Sequence, residues 1–181
     1  GGEDRGFRGH MRALRNGRVT TGLLKIGGGA ALAFVLAAQP GFVTGKRLVA
    51  DALLIALCAN LGNLLDRAPG RVIKVALLAW LPLALIAGTG PVGVAVAPVI
   101  GAAAGMLPDD LREKSMLGDT GANLIGGVLG LMAVFTLGRG TRTGVLVALI
   151  VLNLASEFIS FSKIIEKVPP LRYLDRLGRV A

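Results

Sequence analysis

Residues 72–107 read VIKVALLAWLPLALIAGTGPVGVAVAPVIGAAAGML, with Lys74 as the sole charged side chain. The run is too long for one bilayer crossing, which takes about 17–25 residues as a helix. Gly90-Pro91 divides it, and this predicts two helical spans over 72–88 and 91–107. Transmembrane strands would alternate apolar and polar residues in segments of about ten, and this stretch does not alternate.

Working outward, the same reading finds apolar spans at 21–39 and 48–65 before this stretch, and at 121–137 and 143–161 after it. The predicted fold is an all-α polytopic membrane helix bundle of about six transmembrane helices. It forms one transmembrane domain over 1–181, with a basic loop at 1–20, six spans over 21–161 and a tail over 162–181. The first residue is Gly1 rather than Met, so the sequence reads as the C-terminal part of a longer chain, with no cleavable signal peptide.

Composition agrees. Hydrophobic residues make up 53%, charged residues 17%, and the mean hydropathy is +0.68, values that exclude a disordered segment and speak against a soluble domain. Yet 20 Lys and Arg face 11 acids, for a net charge of +9. One set of predicted loops holds Arg5, Arg8, Arg12, Arg15, Arg18, Arg67, Arg71, Lys74, Arg112, Lys114, Lys163, Lys167, Arg172, Arg176 and Arg179, while the other holds Lys46, Arg47, Arg139 and Arg142. Lys25, just inside the first span, can snorkel to the richer side. This asymmetry predicts that both termini are cytoplasmic. The cations set topology, and the scattered aromatics supply no base-stacking platform, so nucleic acid is not an expected partner. Cys58 and His10 are the only residues of their kinds, which excludes an internal disulfide, a cysteine zinc site and a multi-histidine metal site.

Small residues suggest the packing. Gly126 and Gly130 form one G-x-x-x-G pair and Gly101 and Gly105 another; packing within the bundle is the favoured use, a homodimer face the alternative. Pro82 and Pro98 are expected to kink their helices.

Polar groups inside a span are costly, so their positions are informative. Asn60, Asn63 and Asp66 recur every three residues, which puts them on one face at the cytoplasmic end of the second span. Asn153, Ser156, Glu157 and Ser160 gather toward the same side. Asp119 lies at the start of the fifth span beside glycines, where a hard cation such as Mg²⁺ shared with phosphate could sit. The competing readings are an N-cap for Asp119, interhelical hydrogen bonding for Asn60, Asn63 and Asp66, a structural role for Glu157, and a loop or cap role for Asp109 and Asp110. Arg71 and the loop carrying Arg8 and His10 are candidate phosphate or nucleotide contacts on physical grounds.

Asn60-Leu61-Gly62-Asn63-Leu64-Leu65-Asp66 resembles the N-x-x-N-L-x-D signature of the polyprenyl-phosphate sugar-1-phosphate transferases. Met116-Leu117-Gly118-Asp119-Thr120-Gly121-Ala122 resembles that family's F-M-G-D-x-G-S signature, and the basic stretch 5–25 resembles its basic loop. The resemblance implies a UDP-amino sugar donor, an undecaprenyl-type polyprenyl phosphate acceptor, Mg²⁺, UMP as leaving group and an active face at the cytoplasmic side of the plasma membrane. It implies that Asp119 is a metal ligand or its close neighbour, that Asn63 and Asp66 belong to the site, with Asp66 and Asp119 catalytic, and that Asn60 supports it. The pattern is divergent. Ala68-Pro69-Gly70 stands where a second acid often follows, Ala122 replaces the final serine, 157–170 lacks the histidine-rich motif of the peptidoglycan branch, and the family's acidic pair would precede residue 1. A homologue that only binds lipid phosphate, or a small transporter, are the alternative functions.

Overall fold

The computed structural model describes residues 12–38 and 45–180. Among the described residues every regular element is helical: α1 (Thr21–Ala37), α2 (Lys46–Leu65), α3 (Arg71–Ala87), α4 (Pro91–Leu111), α5 (Gly118–Thr136), α6 (Arg139–Ser156), α7 (Phe161–Lys167) and α8 (Pro169–Arg176). The chain divides into two compact units, 1–53 and 54–181, and the division falls within α2.

In the first unit, 12–15 form a short helical turn and α1 follows. Thr20 caps α1, its Oγ1 accepting from the Leu23 amide at 3.2 Å.

The second unit is built around α3, α4 and α5, which pack pairwise. Its core comprises Val72, Ile73 and Ala76 from α3, Val96, Ile100 and Ala103 from α4, and Ala122, Ile125 and Met132 from α5. Each trio falls at helical spacing, so each helix turns one face inward. The opposite faces are also apolar. Leu78, Leu81 and Leu85 of α3 and Val94 of α4 are exposed. Only 22% of the apolar stretch of α4 and 39% of that of α5 is buried by protein. Helices apolar all round, with most of their surface uncovered, match an apolar solvent.

Three helices, α2, α4 and α5, are long and apolar enough to cross a membrane, and α6 with α7 would make a fourth if taken as one bent span. The sequence predicts six. The difference lies in α1 and α3, which have 17 residues each, and in the last span. At about 1.5 Å per residue, 17 residues reach about 25 Å, the lower end of what crosses a hydrocarbon core about 30 Å thick. The last span, predicted as continuous over 143–161, breaks after Ser156, and α7 leaves α6 at 97°.

Other boundaries shift as well. α4 starts at Pro91, as Gly90-Pro91 predicts, but runs on to Leu111 and absorbs Pro108, Asp109 and Asp110 from the predicted loop. Helix α5 begins at Gly118, so Asp119 lies inside its first turn. Neither α3 nor α4 ends at its prolines: Pro82, Pro98 and Pro108 are all interior.

The two G-x-x-x-G pairs differ. Gly126 and Gly130 face α2, where backbone meets backbone: a Cβ on Gly126 would lie 2.9 Å from the Cα of Ala59, and one on Gly130 would lie 2.9 Å from the Cα of Ile55. Packing within the bundle is therefore their use. Gly101 and Gly105 have nothing within 4 Å of the corresponding position.

Candidate functional site

The two signature-like segments meet at the α2–α5 crossing. Gly62 is buried, and a Cβ there would lie 2.5 Å from the Ala122 carbonyl oxygen and 3.4 Å from the Cα of Gly126. Ala122 is itself fully buried, so this crossing leaves no room for a side chain on α2. The crossing sets the C-terminal end of α2, with Asn63 and Asp66, beside the first turn of α5, with Asp119.

The Asp66 backbone amide closes the last turn of α2 by donating to the Gly62 carbonyl at 3.1 Å, and its half-buried side chain lies just beyond the helix. Burial, followed by the charges of Asp110 and Asp119, pushes the Asp66 carboxyl above its ordinary pKa. Asp110, at the end of α4, and Asp119, at the start of α5, thus both lie within electrostatic range of Asp66.

Asp119 is not the N-cap of α5. Leu117 holds that position without a side-chain cap bond, whereas Asp119 sits in the first turn, where the helix dipole favours a negative charge. Its carbonyl accepts from Asn123 Nδ2 at 2.7 Å, and the side chain is exposed. Gly118 enters the helix at φ +63°, which suits glycine. Asn63 Oδ1 is buried and has no hydrogen-bond partner among the described residues. A buried acceptor without a partner is uncommon and calls for an explanation.

Asn60 has a partner. Its Nδ2 donates to Asn153 Oδ1 at 2.7 Å, and Asn153 Nδ2 donates to the carbonyls of Leu149 at 2.8 Å and Leu57 at 3.3 Å. This pair ties α2 to α6 and gives Asn60 the interhelical role that its spacing left open. Glu157 is exposed at the α6–α7 break.

Arg71 is the largest departure from expectation. It is buried, and its Nε and Nη2 donate to the two Asp175 oxygens at 2.7 and 3.0 Å, while Nη1 donates to Ser162 Oγ at 2.8 Å. A guanidinium engaged on three sides within the protein is not turned toward a phosphate. Burial opposes ionisation of Asp175, but the hydrogen bonds and charges of Arg71 and Arg179 outweigh it and hold its carboxyl below the usual range.

The sequence predicts a loop or cap role for Asp110, yet it lies in the last turn of α4 and is 2% exposed. Its Oδ2 accepts from the Gly70 amide at 3.0 Å, which pins the α2–α3 connection to the end of α4. Gly70 adopts φ +69°, and the Leu111 side chain fills the space where a Cβ would go. The sequence signal for Asp175 was its i,i+4 spacing to Arg179, a pair common on exposed helices and so uninformative about burial. Arg8, His10 and the Lys25 side chain lie outside the described residues. Among the described residues no group of three or more His, Cys, Asp or Glu converges as a metal site.

The chain matches no protein-family model, no curated protein and no solved structure.

Proposed function

We propose that this chain is part of a Mg²⁺-dependent phosphoglycosyl transferase. It would move a HexNAc- or MurNAc-type sugar-1-phosphate from a UDP-amino sugar to an undecaprenyl-type polyprenyl phosphate in cell-wall or surface-glycan synthesis. One observation carries the reading: segments 60–66 and 116–122, which resemble the two signatures, lie against each other at Gly62 and Ala122. The six-span arrangement, both cytoplasmic termini and placement in the plasma membrane with the active side inward belong to the same proposal, supported by the charge asymmetry of the loops.

In the reaction, an acceptor phosphate oxygen forms a bond to the donor's β-phosphorus. The bond from that phosphorus to the bridging oxygen breaks, and UMP departs with the electron pair. When bound, Mg²⁺ would offset the negative charge of the diphosphate and of the leaving phosphate. The donor set suits a cation of this kind, which is usually held by one or two carboxylates and keeps waters and substrate phosphates. Asp66 and Asp119 would supply the carboxylates, and the unpartnered Asn63 Oδ1 a neutral oxygen. Arg8 and His10 would reach phosphate or nucleotide, Asn60 would hold α2 in place through Asn153, and Arg71 would act by fixing its surroundings.

A second reading, a homologue that binds lipid phosphate without turnover, draws support from the departures from the family signatures at Ala68 and Ala122. Purified full-length protein in nanodiscs separates the two. The transferase releases UMP from a UDP-HexNAc donor only with polyprenyl phosphate and Mg²⁺, and Asp119→Asn abolishes release while the protein stays folded. No UMP release under these conditions would sink the transferase reading, and full activity in Asp119→Asn would remove Asp119 from the site.

A further inference from the structure

The α2–α3 connection, 66–70, carries Asp66, yet its own backbone bonds are local: Asp66 to Gly62, Arg67 to Leu65 and Arg71 to Ala68. Two distant polar anchors hold it among the described residues. One is Asp110, through the Gly70 amide at 3.0 Å. The other is the C-terminal tail, where Arg179 Nε donates to the Pro69 carbonyl at 3.0 Å.

The tail is bound by charge. Asp175 of α8 is buried and accepts both from Arg71, at the start of α3, and from Arg179 Nη2 at 2.7 Å. Lys74 Nζ donates to the carbonyls of Leu174, Asp175 and Leu177 at 2.9, 2.6 and 3.1 Å. These belong to the last turn of α8 and the residue after it, where carbonyls lack helical partners and attract a cation. Ser162 of α7 takes the remaining bond of Arg71. Leu111, which packs over Gly70, also reaches Gly178. One carboxylate therefore gathers two arginines, and the same few residues fasten the tail to the beginning of α3, the end of α4 and the connection between them.

Burying charged groups is costly, and a well-packed apolar contact would stabilise as much. What a bidentate arginine–carboxylate pair adds is a fixed direction and register. We propose that the tail, 169–179, is a positioning element of the candidate site: Asp175 and Arg179 hold 66–70 so that Asp66 stays in place opposite Asp119. Its catalytic consequence rests on the transferase reading; its structural consequence does not.

The test uses the full chain in nanodiscs and two measurements, amide hydrogen exchange and UMP release. Asp175→Asn removes the charge, Arg179→Ala removes the Pro69 contact with less disturbance, and Asp175→Glu keeps the pair. Exchange across 66–71 is expected to quicken roughly tenfold or more in Asp175→Asn, since breaking a buried pair strands a charge. It should quicken by less in Arg179→Ala and least in Asp175→Glu. Exchange in the α5 stretch 125–133 should not change. The turnover number should fall in the same order across the variants, with the donor KM little altered. Unchanged exchange at 66–71 in both Asp175→Asn and Arg179→Ala would overturn the proposal. So would faster exchange that spreads equally into α5, or faster exchange at 66–71 with full turnover. If the unmodified protein releases no UMP, the transferase reading fails, and the exchange data alone still decide whether the tail positions the connection.

Discussion

Gly126→Ala adds one methyl group where α5 crosses α2. The new carbon would lie 2.9 Å from both the Ala59 Cα and the Cys58 carbonyl carbon, and closer still to the Cys58 oxygen. Ordinary contact begins near 3.4 Å, and the overlap with the Cys58 oxygen is the largest, so the helices must part by about an ångström. The obstructing atoms are backbone and cannot swing aside. Overpacking of this kind costs about 1–3 kcal/mol, and the better helix propensity of Ala returns at most about 1 kcal/mol. A net loss of about 1–2 kcal/mol corresponds to a Tm lower by about 3–6 °C for a chain of this size. The protein carries its own reporter. Cys58, the sole cysteine, is half-buried in the seam, with its Sγ 3.3 Å from the Cβ position of Gly130. Parting the helices should speed maleimide labelling of Cys58 as well as lower the Tm. Gly101→Ala is the control, because nothing lies within 4 Å of its Cβ position; it should leave labelling unchanged and the Tm equal or slightly higher. Equal labelling rates and melting temperatures in the two variants would refute the close-approach reasoning.

Asp66 and Asn153 extend the test to the polar residues. The Asp66 pKa is raised in the folded protein, so the fold binds that proton more tightly than the unfolded chain does. Its contribution is fully present below the ordinary carboxylate value near pH 4 and is lost as pH rises through the higher folded value. Asp66→Asn should therefore melt higher than the unmodified protein at pH 7, differ less at low pH, and lose UMP release; a lower Tm at pH 7 would count against the crowding of Asp66 by Asp110 and Asp119. Asn153→Leu strands Asn60 and should cost about 0.6–2 kcal/mol, the range for hydrogen bonds between membrane helices. Adding Asn60→Leu should recover part of that loss, because no partner is then left unpaired; a double-mutant cycle with no coupling would contradict the 2.7 Å bond.

Much of the bundle is written locally. Gly90-Pro91 marks the α3–α4 turn because proline cannot donate in a helix interior but fits a first turn, and α4 starts there. Gly126 and Gly130 mark a helix seam because only glycine permits that approach. The break after Ser156 is not legible in the same way, since Phe158 and Ile159 continue the apolar run and both are exposed at the corner. Pro108 looks like a helix end, yet α4 continues to Leu111, where the buried Asp110 bonds the Gly70 amide. Nothing near residue 110 announces a partner forty positions earlier. In the candidate site, the spacing of Asn60, Asn63 and Asp66 predicts one face, but Asn60 bonds Asn153 of α6 and Asp66 lies just beyond the end of α2, and the fate of Arg71 depends on a carboxylate 104 positions away. Local periodicity shows which face a residue occupies. It does not show which distant group will meet it there.

That separation orders events in time. Arg71 and Asp175 lie 104 residues apart, and Pro69 and Arg179 lie 110 apart. During synthesis, which delivers the chain from its N-terminus, α2 to α5 emerge well before these partners do. The crossing at Gly62 and Ala122 needs nothing beyond α5 and can form early. The connection bearing Asp66 gains its second distant anchor only after residue 179 has been made. The helix crossing can therefore precede the anchoring of the connection, and the ion pair at Asp175 cannot form before residue 175 has been made.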